Sequence, residues 1–260
     1  MRTGRLRTVL APVVFGLAVL VLWQVAVIVF NIQPFVLPGP INIGTLFAQD
    51  LGVVWAGMLV TGGNAVIGFV LGAVLAIVAA GIAAALRFFD QLTQPVVTVV
   101  AVIPIVALAP VLYTMFGAGA ETARQLIAAL AVFVPVYLNT LRGLRQVRPV
   151  HQDLMRAYAA TPWQATRTVT LPGALPFLFT GLRIASSLAV ISALIAEYFG
   201  GPVDGLATSI TSAAAYSNYT LAYAFVLGAI ILGLVFYCTT LALEKVATRH
   251  APLPPQRPAA

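Results

Sequence analysis

The chain has 260 residues, of which 61% are hydrophobic and only 8% charged, with a formal net charge of +7. A soluble domain carries about a quarter charged residues, so this composition excludes a water-soluble globule and makes lipid the solvent for most of the chain. The basic excess does not signal nucleic acid: the arginines stand at the ends of apolar runs and form no patch interleaved with aromatics.

A hydrocarbon core of about 30 Å needs about 20 apolar residues as helix. Six stretches qualify: residues 9–30, 59–86, 92–116, 126–141, 175–199 and 221–243. The predicted fold is therefore all-α and integral to the membrane, with about six transmembrane helices. Arg2, Arg5 and Arg7 precede the first run as in a signal peptide. The run is longer than a signal's apolar region and no small-residue cleavage site follows Phe30, so it is expected to stay as a span. The second run carries Gly68 and Gly72 at a spacing that lets helices approach closely. Pro95, Pro104 and Pro110 in the third run and Pro135 in the fourth predict kinks. The end of the chain, HAPLPPQRPAA, reads as a proline-rich disordered tail. This divides the chain into an N-terminal span with its outer loop (1–58), a core domain (59–245) and the tail (246–260).

Lys and Arg prefer cytoplasmic loops. With both termini in the cytoplasm, Arg2, Arg5, Arg7, Arg87, Arg142, Arg145, Arg148, Arg156, Arg167, Lys245, Arg249 and Arg257 fall inside. Only Arg124 falls outside, and Arg183 snorkels from the start of the fifth span.

Residues 142–175 are too polar to span and too patterned for a linker. Pro149 suits a helix start, with Asp153 in the first turn facing the helix dipole. Val150, Leu154 and Tyr158 recur at i, i+4, i+8 as one apolar face. Thr161-Pro162 looks like a cap and first-turn proline opening a second short helix, Trp163 to Val169, which Leu171-Pro172 ends. The fold class is completed by this helix-turn-helix between the fourth and fifth spans. Its apolar face can lie on its own bundle or dock in a groove of a separate protein.

The stretch DLMRAYAATPWQATRTVTLPGALPFLFTGLRIA resembles the EAA loop of permease subunits of ATP-binding cassette importers. Asp153 takes the Glu position, Leu154 and Met155 the two Ala positions, Ala159 the Gly position, and Leu171-Pro172 the closing Leu-Pro. The segments QPVVTVVAVIPIVALAPVLYTMFGAGAE and VPVYLNTLRGLRQV, the pair Ala196-Glu197, and Gly205-Leu206-Ala207 are similar to the nitrate, sulfonate, taurine and thiamine-pyrimidine group of that family. The resemblance covers residues 59–245. It implies a bacterial inner-membrane permease whose loop residues Asp153, Leu154, Met155, Arg156, Ala157, Tyr158, Ala159, Ala160 and Thr161 couple to an ATPase dimer. It also implies a second permease copy or paralogue, and an extracytoplasmic binding protein that delivers a small organic solute. DLMRAY and GLVFYCTTLALEK look most like permeases for thiamine-pyrimidine precursors or riboflavin; nitrate, sulfonate and taurine stay open.

The chain itself is expected not to hydrolyse ATP, because its only lysine, Lys245, follows LALE and no P-loop precedes it. A secondary transporter driven by an ion gradient is the alternative, but such proteins place acids deep in the membrane. Here only Glu197 qualifies, near the outer end of the fifth span. An intramembrane enzyme would need a nucleophile with a base, and Ser186, Ser187 and Ser192 have no histidine near in sequence. His151 and His250 lack ligand spacing and Cys238 is alone, so no metal and no cofactor is expected. Candidate pathway or gate residues are Asn64, Tyr113, Thr114, Asn139, Ser192 and Glu197; no cation is expected in mid-span to hold an anion.

Overall fold

The computed structural model describes the backbone of residues 2–147 and 149–249 and the side chains of 10–147 and 149–249. The expectations at Arg2, Arg5, Arg7, Arg148, His250 and Arg257, and the tail from 250, lie outside the described side chains. Every regular element among the described residues is helical: α1 (Arg2–Val29), α2 (Pro40–Gln49), α3 (Leu51–Ala85), α4 (Arg87–Val102), α5 (Ile105–Phe116), α6 (Thr122–Arg145), α7 (Pro149–Ala157), α8 (Pro162–Ala165), a wide π turn (Thr166–Thr170), α9 (Leu171–Phe199), α10 (Leu206–Ala215) and α11 (Tyr219–Ala247). Among the described residues five helices are long and apolar enough to cross a membrane, and a bent pair makes up to six. Their exposed faces carry Val, Leu and Ile, as lipid-facing helices must.

Three expectations are corrected. The third span is not one kinked helix: α4 and α5 meet at 96°. Ile103 precedes a proline and is pushed to extended backbone (ψ 125°), and Pro104 follows at ψ 105°, so two successive residues leave the helix. The helix of the fifth span begins before 175, and Leu171-Pro172 ends nothing. The chain runs from Pro162 to Phe199 as one 38-residue stretch. A proline ring clashes with the carbonyl four residues back in α geometry, but here the ladder widens and Leu171 N–H donates to Thr166 O. Asp153 does not sit in the first turn of α7, because that turn starts at Pro149; its carboxylate lies 3.5 Å from Arg156 instead.

The chain divides into two compact units, Met1–Val60 with Val203–Ile230, and Thr61–Pro202 with Ile231–Ala260. In the first, the Gln24 side chain of α1 accepts from Ile41 N–H at 3.1 Å and crosses closely over Gly39. Leu206, fully buried, fits against Gly57, and a Cβ at Gly228 would lie 2.7 Å from Val54 Cγ1.

In the second unit α6 is the central helix, buried along most of its length. It meets α3 where side chains are missing. A Cβ at Gly68 would fall 2.5 Å from Ala128 Cβ, and one at Gly72 would fall 2.9 Å from Val132 Cβ and into the Ala129 carbonyl. The same device joins α6 to α9 in antiparallel register: Gly143 abuts Ala174 and Phe177, and Gly181 abuts Pro135 and Asn139.

Candidate functional site: an exposed helical loop and a buried polar end

The loop between α6 and α9 is built by local rules. α7 opens on Pro149, whose missing N–H would be unpaired there anyway. It closes with Ala160 N–H on Met155 O (3.0 Å) and Ala159 N–H on Arg156 O (2.9 Å), the Schellman pattern. That pattern needs a left-handed residue, and Ala159 supplies it at φ +48°. Thr161 then caps α8: its Oγ1 accepts from Gln164 N–H, while Gln164 Oε1 accepts from Thr161 N–H at 2.8 Å.

No residue of α7 is buried. Val150, Leu154 and Tyr158 are 72%, 48% and 74% exposed, and Trp163 68%. The predicted apolar face therefore exists and is not laid against this chain's own spans.

At the loop's base, Arg145 bridges Asp90 at 2.8 Å and donates to Ala83 O, so one guanidinium ties the ends of α3, α4 and α6. Arg142 stands over the Phe177 ring at 6.0 Å. Arg183 does not snorkel freely: it pairs with Glu244 of α11 at 3.3 Å. The reason is the longer fifth span, which puts Arg183 well inside the helix.

The other end of the second unit is polar and buried. Tyr113, 7% exposed, packs with Ala109, Ala123, Ile127 and Ala196. Its hydroxyl donates to Ala196 O at 3.2 Å, and its ring covers Gly200 and Gly201, both at positive φ. A Cβ at Gly201 would lie 2.8 Å from the Tyr113 hydroxyl, so only glycine fits there.

Arg124, expected on the outer side, is fully buried and donates to Pro202 O. Glu197 is also buried, at 1% exposure, and Asn64, at 2%, accepts from Gln125 Nε2 at 3.0 Å. Both Arg124 and Glu197 have partners within the protein, as buried charges require.

Thus Asn64, Tyr113 and Glu197 gather near the Arg124 end. Ser192 is buried within α9, and Asn139, half-buried, donates to Pro135 O at 2.8 Å within α6. Thr114 is exposed, and its hydroxyl donates to Val111 O at 2.7 Å. Sequence reasoning missed Arg124 and Gln125 because it began the fourth span at 126; α6 begins at Thr122 and takes both inside.

A model of the family described as binding-protein-dependent transport system inner membrane component matches residues 68–249. The riboflavin transport system permease protein RibX of Chloroflexus aurantiacus is 32% identical over 232 residues, 88% of this chain and 86% of its own length. The formylaminopyrimidine transport permease protein ThiX of Halalkalibacterium halodurans is 30% identical over 196 residues, 74% of this chain and 76% of its own. A crystal structure of an amino acid ABC transporter with histidines shares the fold, with TM-score 0.60 over 78% of this chain and 94% of that one, at 16% identity.

Proposed function

This chain belongs to the family of binding-protein-dependent transport system inner membrane components, and from that premise we propose that the solute it passes is a neutral nitrogen heterocycle of the riboflavin or thiamine-pyrimidine kind. As a family member it is a multi-pass inner-membrane permease of an ATP-binding cassette importer. It is not catalytic, and the ATPase and the binding protein are other polypeptides. Membership sets aside the ion-gradient alternative.

The observation that carries the substrate reading is the pair of relatives at 30% identity or more, named for riboflavin and formylaminopyrimidine. The chemistry agrees. The buried cation Arg124 is spent on the Pro202 carbonyl and has no exposed surface to offer nitrate or a sulfonate. The test is ATP-dependent uptake into vesicles holding the permease, its ATPase and its binding protein. Labelled riboflavin or aminopyrimidine is expected to accumulate. Uptake of taurine or nitrate with neither heterocycle overturns the reading.

Residues 153–161 are the proposed seat of the ATPase, supported by the uncovered apolar face of α7. Asn64, Tyr113 and Glu197 are the proposed outer gate, with Asn139 and Ser192 along the path. A second permease copy or paralogue completes the pathway. Both termini and the α7 loop lie in the cytoplasm, and the core domain spans 59–245 between an N-terminal span and a tail. Replacing Ala159 with Glu is expected to abolish uptake while membrane insertion persists. Full uptake by that variant removes the loop from the coupling.

A further inference from the structure

A cavity of about 570 Å³ opens in the second unit between α3, α6, the π turn and the first turns of α9. Its walls are apolar, formed by Ile77, Leu144, Leu175 and Leu178, with a floor left open at Gly81. A Cβ at Gly81 would meet nothing within 4 Å. Four polar residues interrupt this lining, Thr166 and Thr170 on the π turn and two more.

The first is Thr140, 5% exposed, whose Oγ1 has no hydrogen-bond partner. That is unusual within the molecule itself. Thr93, Thr98, Thr180 and Thr240 all return their hydroxyl to the carbonyl four residues back. A buried hydroxyl without a partner costs about 1–3 kcal/mol, so one that lines a cavity marks where a ligand acceptor belongs.

The second is Arg167, exposed on the π turn at the cavity's edge, with no ion pair among the described residues. The nearby arginines differ: Arg145 is held by Asp90 and Arg156 by Asp153.

Depth identifies the ligand. The Arg145–Asp90 bridge and Arg142 mark the level at which this end of the bundle leaves hydrocarbon. Thr140 stands five residues deeper on α6, about 7.5 Å at 1.5 Å per residue. An amphiphile with an anionic head, an acceptor a few ångströms below it and an apolar chain beneath matches that order. The volume lies within the roughly 300–1,000 Å³ typical of ligand sites.

We propose that this cleft binds an anionic phospholipid, its phosphate on Arg167, an ester carbonyl accepting from Thr140 Oγ1, and an acyl chain laid over Gly81 between Ile77 and Leu178. Basic pockets between transmembrane helices hold acidic head groups in this way. Because Thr166, Arg167 and Thr170 belong to the turn that joins α8 to α9, the lipid would brace the junction between the loop and its span.

The test uses the assembled transporter in nanodiscs of equal parts phosphatidylglycerol and phosphatidylethanolamine. Lipid retained per permease chain is counted by mass spectrometry after mild detergent extraction. Phosphatidylglycerol is expected to be enriched about tenfold, a ratio worth about 1.4 kcal/mol. Arg167→Gln should bring that ratio close to unity. Gly81→Leu, whose side chain enters the open cavity, should cut retention of both lipids by a similar factor. If Gly81→Leu fails to assemble, Arg167→Gln on its exposed turn decides alone. Equal retention of the two lipids by the unaltered protein overturns the proposal. So does a Gly81→Cys, Cys238→Ser variant that forms a disulfide between two permease copies, which would make the cleft a protein interface. Displacement of the lipid by transported solute would overturn it in favour of a substrate site.

Discussion

Ala159 carries the turn of the loop at a local cost. An L-residue with a side chain at φ +48° loses about 1–2 kcal/mol relative to the right-handed region, and the two Schellman bonds recover part of that. Ala159→Gly should therefore slow hydrogen exchange at the Ala160 amide about fivefold, the equivalent of about 1 kcal/mol; Ala159→Val should speed it. Arg124 poses the opposite problem, a charge taken wholly out of solvent. Arg124→Met removes the donor to Pro202 O and leaves a buried carbonyl short of a partner, at about 1–3 kcal/mol. The expected readout is a lower unfolding temperature in detergent, together with faster proteolysis at residues 200–205. Neither role was visible from residue type. The sequence shows an alanine where the resembling family has glycine, and an arginine beside an apolar run. The left-handed backbone follows from the local turn rather than from the alanine, and the burial of Arg124 is set by neighbours distant in sequence.

At the scale of helices, glycine position decides which contacts exist. Gly68 and Gly72 lie at the α3–α6 crossing, whereas Gly81, further along α3, faces open space. Gly72→Ala should cost about 1–3 kcal/mol through overpacking, and Gly81→Ala almost nothing. Thermal unfolding of the two variants in one detergent separates them, and equal shifts would contradict the packing described. The Gly-xxx-Gly spacing made a close helix approach by α3 legible in advance, but not that α6 is the partner. The Gly143 and Gly181 contacts were not, because each stands alone in its helix and acquires meaning only through the antiparallel register of α6 and α9. Proline was read correctly as a perturber in 92–116, yet its three members act differently. Pro95 and Pro110 lie within α4 and α5, while Pro104 separates them at 96°. What decides is whether the preceding residue can be extended without losing its packing, which is a tertiary matter.

For the molecule as a whole, the loop is the part we propose as the seat of the ATPase. Its apolar side chains are exposed in this chain and stand on two short helices joined by a hydrogen-bonded, capped turn. Tyr158→Ala and Trp163→Ala remove the two large aromatic anchors. If the loop is the ATPase seat, at least one of them behaves as a hot spot worth about 2 kcal/mol or more. Titration of the ATPase onto nanodisc-held permease should then show a weakening of about thirtyfold or greater. Unchanged affinity in both variants would move the seat elsewhere.

The sequence by itself determined the solvent, the helical class and the count of spans, because hydrocarbon tolerates few alternatives to long apolar helices. It also determined where the loop's two short helices start, since proline starts and caps act within a few residues. The tertiary structure alone decided that α4 and α5 part at Pro104, that the helix of the fifth span continues from the loop, and that Arg124 and Glu197 are interior. It also decided that Thr140 faces a cavity. Those outcomes depend on which helix faces meet, and apolar residues line both lipid-facing and protein-facing sides of a membrane helix alike.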